Sequence, residues 1–165
     1  MRLQVGSGID NYLNKLENLD LTAPEAIGKA IYQGAKIVAD AIERNIEALP
    51  VDDSRHSEQL KGIRSIQKEG LKGRPKGKGG GFGISPSRND NGYINVKLGF
   101  DGYNKLKTKK YPQGQPNAMI ARTFESGNSF TKKIPFVAPA VRATKDAAEL
   151  KMAQIIDAET SKIMN

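Results

Sequence analysis

Seven apolar residues, Ile27, Ile31, Ala35, Val38, Ile42, Ile46 and Leu49, recur at steps of three and four, which lays them along one side of an α-helix. Thr22 as N-cap, Pro24 in the first turn and Glu25 in the capping-box position predict its start, and Pro50 predicts its end. Lys29, Lys36, Asp40, Glu43 and Glu47 fall elsewhere on its surface. A membrane-surface helix would carry a predominantly basic polar face. This face is mixed, so the stripe is read as core-facing, and the rest of the chain must supply what covers it. Ahead of it, Met1–Val5 reads as an edge strand, Gly6-Ser7-Gly8 as a turn, and Asp10 as the cap of a short helix to about Leu19 with Ile9, Leu13 and Leu16 on one side.

A second long helix is expected from Pro139 to about Met164, with Ala148, Met152, Ile155, Ile156 and Ile163 at helical spacing. Between the two, Asp52, Asp53 or Ser54 can cap a short helix with Leu60, Ile63 and Ile66 on its apolar side. Gly70–Gly83 is too rich in glycine to be ordered by its own propensities. Pro86–Gly92 reads as turn, Asn91-Gly92 is a hairpin signal, and Tyr93–Phe100 reads as one strand. Asp101-Gly102 is another turn, Tyr111–Pro116 is loop, and Asn117–Phe124 is a short helix with Met119, Ile120 and Phe124 inward. The expected fold is α+β, two long helices packed on a small, mostly antiparallel sheet. The expected organisation is one domain over 1–165 with a flexible basic loop at about 70–92.

The 165 residues contain no cysteine, which excludes disulfides, thiolate metal sites and cysteine nucleophiles. No apolar run approaches membrane-spanning length, and the first ten residues lack the hydrophobic segment of a secretory signal, so a soluble protein made in the cytoplasm is expected. The net charge of +8 is concentrated in two basic patches, Lys61 to Lys78 and Lys105 to Lys110. Phosphates, a membrane surface or an acidic protein face would each be attracted to them, and solvated loops need no ligand at all.

His56 lies near Asp52, Asp53 and Glu58, but one histidine and an unpaired set of carboxylates fall short of a metal site, and no HExxH spacing is present. It reads as an exposed residue at a helix start. Gly77-Lys78 is followed by Gly79 where a phosphate-binding loop needs Ser or Thr, and Lys72 stands where that loop's leading glycine belongs. No nucleophile, base and orienting acid can be assembled. Glu125, an acid beside a glycine turn, is read as an acceptor of backbone hydrogen bonds. No enzyme, cofactor or metal is expected.

The segment Ile120–Ala140 ties these pieces together. Phe124-Glu125-Ser126-Gly127 closes one run, Pro135-Phe136-Val137-Ala138-Pro139-Ala140 opens the last helix, and Gly127–Lys133 is a loop pinned between them with Phe136 as anchor. Aromatic-Glu-Ser-Gly, a short polar loop, Pro-Phe-Val-x-Pro-Ala and a final helix resemble, in order and spacing, the gp-ten-like tail-completion proteins of HK-type and other long-tailed bacteriophages. Pro50-Val51-Asp52 and Ser65-Ile66 match the ends of a further family segment, whereas Asp53-Ser54 departs from the usual Thr-Gly.

The resemblance implies a tail-terminator-like fold and a structural role at the tail–neck junction of a virion. It implies a ring, expected to be a hexamer, that completes the tail tube and joins it to the head connector or stopper protein. On that reading Phe124, Glu125, Gly127, Phe130, Pro135, Phe136 and Pro139 anchor the loop or meet the next subunit. Phe124 and Phe136 also suit a domain core. Lys72, Arg74, Lys76 and Lys78 would face passing DNA and touch phosphates without reading sequence. The alternative is a basic nucleic-acid-binding protein acting outside a virion.

Overall fold

The structure, a computed structural model, describes residues 7–49, 81–104, 107, 109–129 and 132–164. Among these the chain forms three helices, α1 (Ser7–Glu47), α2 (Asn117–Ser126) and α3 (Val137–Met164), and four strands, β1 (Gly81–Ile84), β2 (Arg88–Asp90), β3 (Tyr93–Asn95) and β4 (Leu98–Asp101). The fold class is α+β, as expected. The predicted edge strand at Met1–Val5, the short helix after Asp52, His56 and the glycine-rich run up to residue 80 lie outside the described residues.

α1 and α3 run antiparallel. Three contacts set their register: Lys29 pairs with Glu159, Gly34 lies against Met152, and Asn45 Nδ2 donates to the Phe136 carbonyl at 2.8 Å. A Cβ on Gly34 would come within 2.7 Å of the Met152 side chain, so a small residue is what lets the helices approach there. The stripe expected on α1 is most deeply buried toward its C-terminal end, at Ile42, Ile46 and Leu49, joined by Ala39 and Ala41. Phe82, Ile120, Ala121, Phe124, Phe136 and Ala140 complete this core.

Several expectations are corrected. The break predicted between Leu19 and Thr22 does not exist: α1 is continuous through Pro24 for 41 residues. Thr22 is not a cap, since its hydroxyl donates back to the Asn18 carbonyl at 2.7 Å within the helix. The continuous apolar side outweighs a proline that removes one backbone bond and crowds the carbonyl of Asp20.

The strand read over Tyr93–Phe100 is two strands in two separate ribbons, β1–β4 and β2–β3, both antiparallel. The split falls at Val96-Lys97, where Ser85 and Lys97 exchange two hydrogen bonds of 2.8 Å and one ribbon gives way to the other. The residues from 81 to 92, expected to share the flexible loop, are ordered in β1 and the hairpin. Phe82 supplies the reason, burying its ring against Phe100 at 5.1 Å between centroids. Asn91 and Gly92 turn the hairpin with φ of 55° and 88°, the positive values that a two-residue turn of this kind requires.

The last helix begins at Val137 rather than Pro139, which still falls in the first turn, where its missing amide costs nothing. Ala148 is buried on it, whereas Ile156 is exposed. On α2, Ile120 and Phe124 pack inward as expected, joined by Ala121, but Met119 faces outward and receives the Tyr111 hydroxyl at 3.6 Å.

Candidate functional site: two closed loops around helix α2

α2 is short, and each of its ends closes a loop. At its C-terminal end Gly127 turns the chain with φ 74°, and its amide donates to the Thr123 carbonyl at 2.9 Å. The chain returns so closely that a Cβ on Gly127 would stand 3.0 Å from the Lys133 nitrogen. Ile134 N then donates to the Phe124 carbonyl at 2.8 Å. The loop 127–133 therefore has both ends fastened, as the sequence led one to expect.

Glu125 fastens it a second time. Its Oε2 accepts the amides of Phe136 and Val137 at 2.8 and 2.9 Å, and its Oε1 that of Ala138 at 3.0 Å. These amides open α3, so a carboxylate from another helix caps it and complements its dipole. Burial pushes the carboxyl upward, but the amides of Val137, Phe136 and Ala138 and the charge of Lys133 together hold it below the ordinary glutamate range.

Phe136 is the anchor beneath. Only 1% exposed, it meets the Phe100 ring edge-on at 5.9 Å, while Asn45 holds its carbonyl from α1. Phe124 is buried beside it, and Pro135 is exposed. Both phenylalanines are thus core residues that anchor the loop from within and present no ring to a neighbour. Gly127, Glu125 and Pro139 are brought to the same corner, while Phe130 lies outside the described residues.

The other end of α2 closes a second loop, which sequence reasoning left as plain loop. Asn104 N donates to the Gln115 carbonyl at 2.9 Å, and Gln115 N donates to Asn104 Oδ1 at 2.7 Å. Asn117, 1% exposed, donates its backbone amide to the Gly102 carbonyl and its side-chain Nδ2 to that of Asp101. Gly114 has φ 102°, and a Cβ there would lie 2.1 Å from the Asn104 carbonyl oxygen. Only glycine fits. The available signal was the pair of asparagines flanking a Pro- and Gly-rich stretch, since Asn readily bridges backbone groups across turns.

Both closed loops are basic. Lys107, Lys109 and Lys110 are exposed on one, Lys132 and Lys133 on the other, and Arg122 is exposed on α2 between them. Lys110 Nζ sits 5.6 Å from the Tyr111 ring centroid. A cleft of about 370 Å³ along α1 is lined by Asp40, Glu43, Arg44, Ile46 and Glu47. The expected DNA contacts, Lys72, Arg74, Lys76 and Lys78, lie outside the described residues. Among the described residues no group of His, Cys, Asp or Glu is arranged to hold a metal ion, and no helix is long and apolar enough to cross a membrane. Comparison with family models, curated proteins and solved structures finds no match.

Proposed function

We propose that the chain is a structural subunit of a bacteriophage or prophage particle, forming a ring, expected to be hexameric, that completes the tail tube and joins it to the head connector. The observation that carries the reading is the Glu125 clasp: three backbone amides on one carboxylate hold the loop 127–133 shut over a core anchored by Phe136. A loop fixed at both ends on a rigid base is a gripping element, and subunit contacts that close a ring need no reactive group. The resemblance of Phe124–Gly127 and Pro135–Ala140 to tail-completion proteins supports the same role.

In this role the protein is made in the host cytoplasm and resides at the tail–neck junction. It contacts itself, the tail tube protein and the connector or stopper. The exposed lysines of the two loops, together with Lys72, Arg74, Lys76 and Lys78, lie against packaged DNA without reading its sequence. Electron microscopy of particles assembled without the gene tests this. Unjoined heads and tails, or tails of abnormal length, are the expected result, and normal infectious particles would refute it.

The cluster Lys107, Lys109, Lys110 beside Tyr111 favours a second reading, a nucleic-acid-binding protein acting alone. That reading requires the isolated monomer to bind DNA with a steep salt dependence.

A further inference from the structure

α1 extends beyond its described packing partners. Among the residues of α1 whose burial is described, Gly28 is the first buried one, with Ser87 and Ile94 close enough to touch a Cβ placed there, and Lys29 already pairs with Glu159 near the end of α3. From Asn14 to Ile27 no described side chain is buried. The helix nevertheless continues to Ser7, an arm of 21 residues and roughly 30 Å.

The apolar stripe does not stop where the body stops. Leu16, Ala23 and Ile27 continue, at helical spacing, the face that carries Ile31, Val38 and Ile42. Leu16 is 39% and Ile27 38% exposed. A lone helix of about this length is marginal in water, the more so with a proline inside it, so such an arm acquires its stability from whatever covers the stripe.

Charge indicates what covers it. The arm from Ser7 to Ile27 has one lysine against four acids, Asp10, Glu17, Asp20 and Glu25. The opposite end of the molecule presents Lys107, Lys109, Lys110, Arg122, Lys132 and Lys133 around α2. The two lie roughly 40 Å apart along a helix that cannot fold back on itself, well beyond the screening length.

The geometry points to a head-to-tail contact between copies of this chain, in which the acidic arm of one α1 lays its apolar stripe against the basic, two-loop end of the next. Arm-to-arm pairing would set like charges together, so the contact is heterologous, the kind that closes a ring when its rotation allows. This deepens the ring reading and rests on it only for where the contact is used.

The absence of cysteine makes the test direct. Full-length L16C and K110C chains are purified separately, then oxidised alone and mixed at about 100 μM in low salt. A disulfide-linked product from the mixture, in yield well above either variant alone, is the expected result. Charge reversal in the arm, E17K with D20K, should cut the yield at least tenfold, and K109E in the K110C partner should restore part of it. Dimers from L16C alone at the yield of the mixture, or no product in the mixture, would overturn the proposal. Circular dichroism of each variant confirms that it is folded. Because no particle is involved, this result and that of the gene deletion stand or fall separately.

Discussion

Glu125 and Phe136 are joined across eleven residues of sequence: the carboxylate accepts the Phe136 amide at 2.8 Å, and the ring of Phe136 sits in the core directly beneath the loop that this bond closes. A polar bond and an apolar anchor fix the same point of the chain. Their contributions separate by substitution.

Glu125→Ala leaves three amides without their acceptor and should lower unfolding stability by about 1–3 kcal/mol, in the range of losing a helix cap and more. Glu125→Gln keeps one carbonyl oxygen and should lose roughly half as much. Urea titrations followed by circular dichroism measure both. Equal stability of Glu125→Ala and the parent chain would show that water replaces the clasp.

The same carboxylate gives a pH dependence with a definite sign. Its folded-state pKa is lowered, so its contribution is present above the unfolded value, about 4.3, and is lost as pH falls through the folded value. The stability gap between the parent and Glu125→Gln should therefore be constant from pH 8 to 6 and narrow steadily below pH ~4. A gap that widens on acidification would contradict the assignment.

Phe136→Ala empties the most enclosed large site in the core and should cost about 3–5 kcal/mol, enough to abolish cooperative unfolding in a marginal domain. Phe136→Leu should cost less than half of that. The comparison of midpoints distinguishes a packing anchor from a residue needed only for contact with other proteins.

Glycines divide sharply. Gly114→Ala places a Cβ 2.1 Å from the Asn104 carbonyl at φ 102°, and should destabilise by about 3 kcal/mol or more. Gly99→Ala meets nothing within 4 Å and should be neutral or slightly stabilising. Thermal melts of the two variants side by side check the contrast.

Pro24→Ala restores an amide inside α1 and removes the crowding at the Asp20 carbonyl. Hydrogen exchange in residues 7–23 should slow, with the rest of the chain unchanged, since the change is confined to the arm. Uniform slowing would mean that the arm and the body open together.

Periodicity located α1 from Ile27 onward, α2 and α3, although Met119 and Ile156, counted on their apolar sides, are exposed. It failed at Pro24, where a local breaker is overridden by a stripe that extends on both sides of it, and at Val96, where two short ribbons share one run of β-forming residues. The closing role of Glu125 was legible from its neighbour Gly127, but its partners were not, because they lie eleven to thirteen residues ahead. Asn45 and the Asn104–Gln115 clasp were missed for a related reason. A polar residue on a core face declares that it needs a partner without saying which backbone group supplies it.

The antiparallel seam between α1 and α3 has a cost in time. The helix that covers α1 is synthesised about 90 residues after α1 is complete, an interval of roughly 5–20 s at ordinary translation rates. Until then the side of α1 that meets this helix, at Gly34 and Asn45, waits without that cover at the ribosome, which makes it the first place where a slowed ribosome would lead to aggregation.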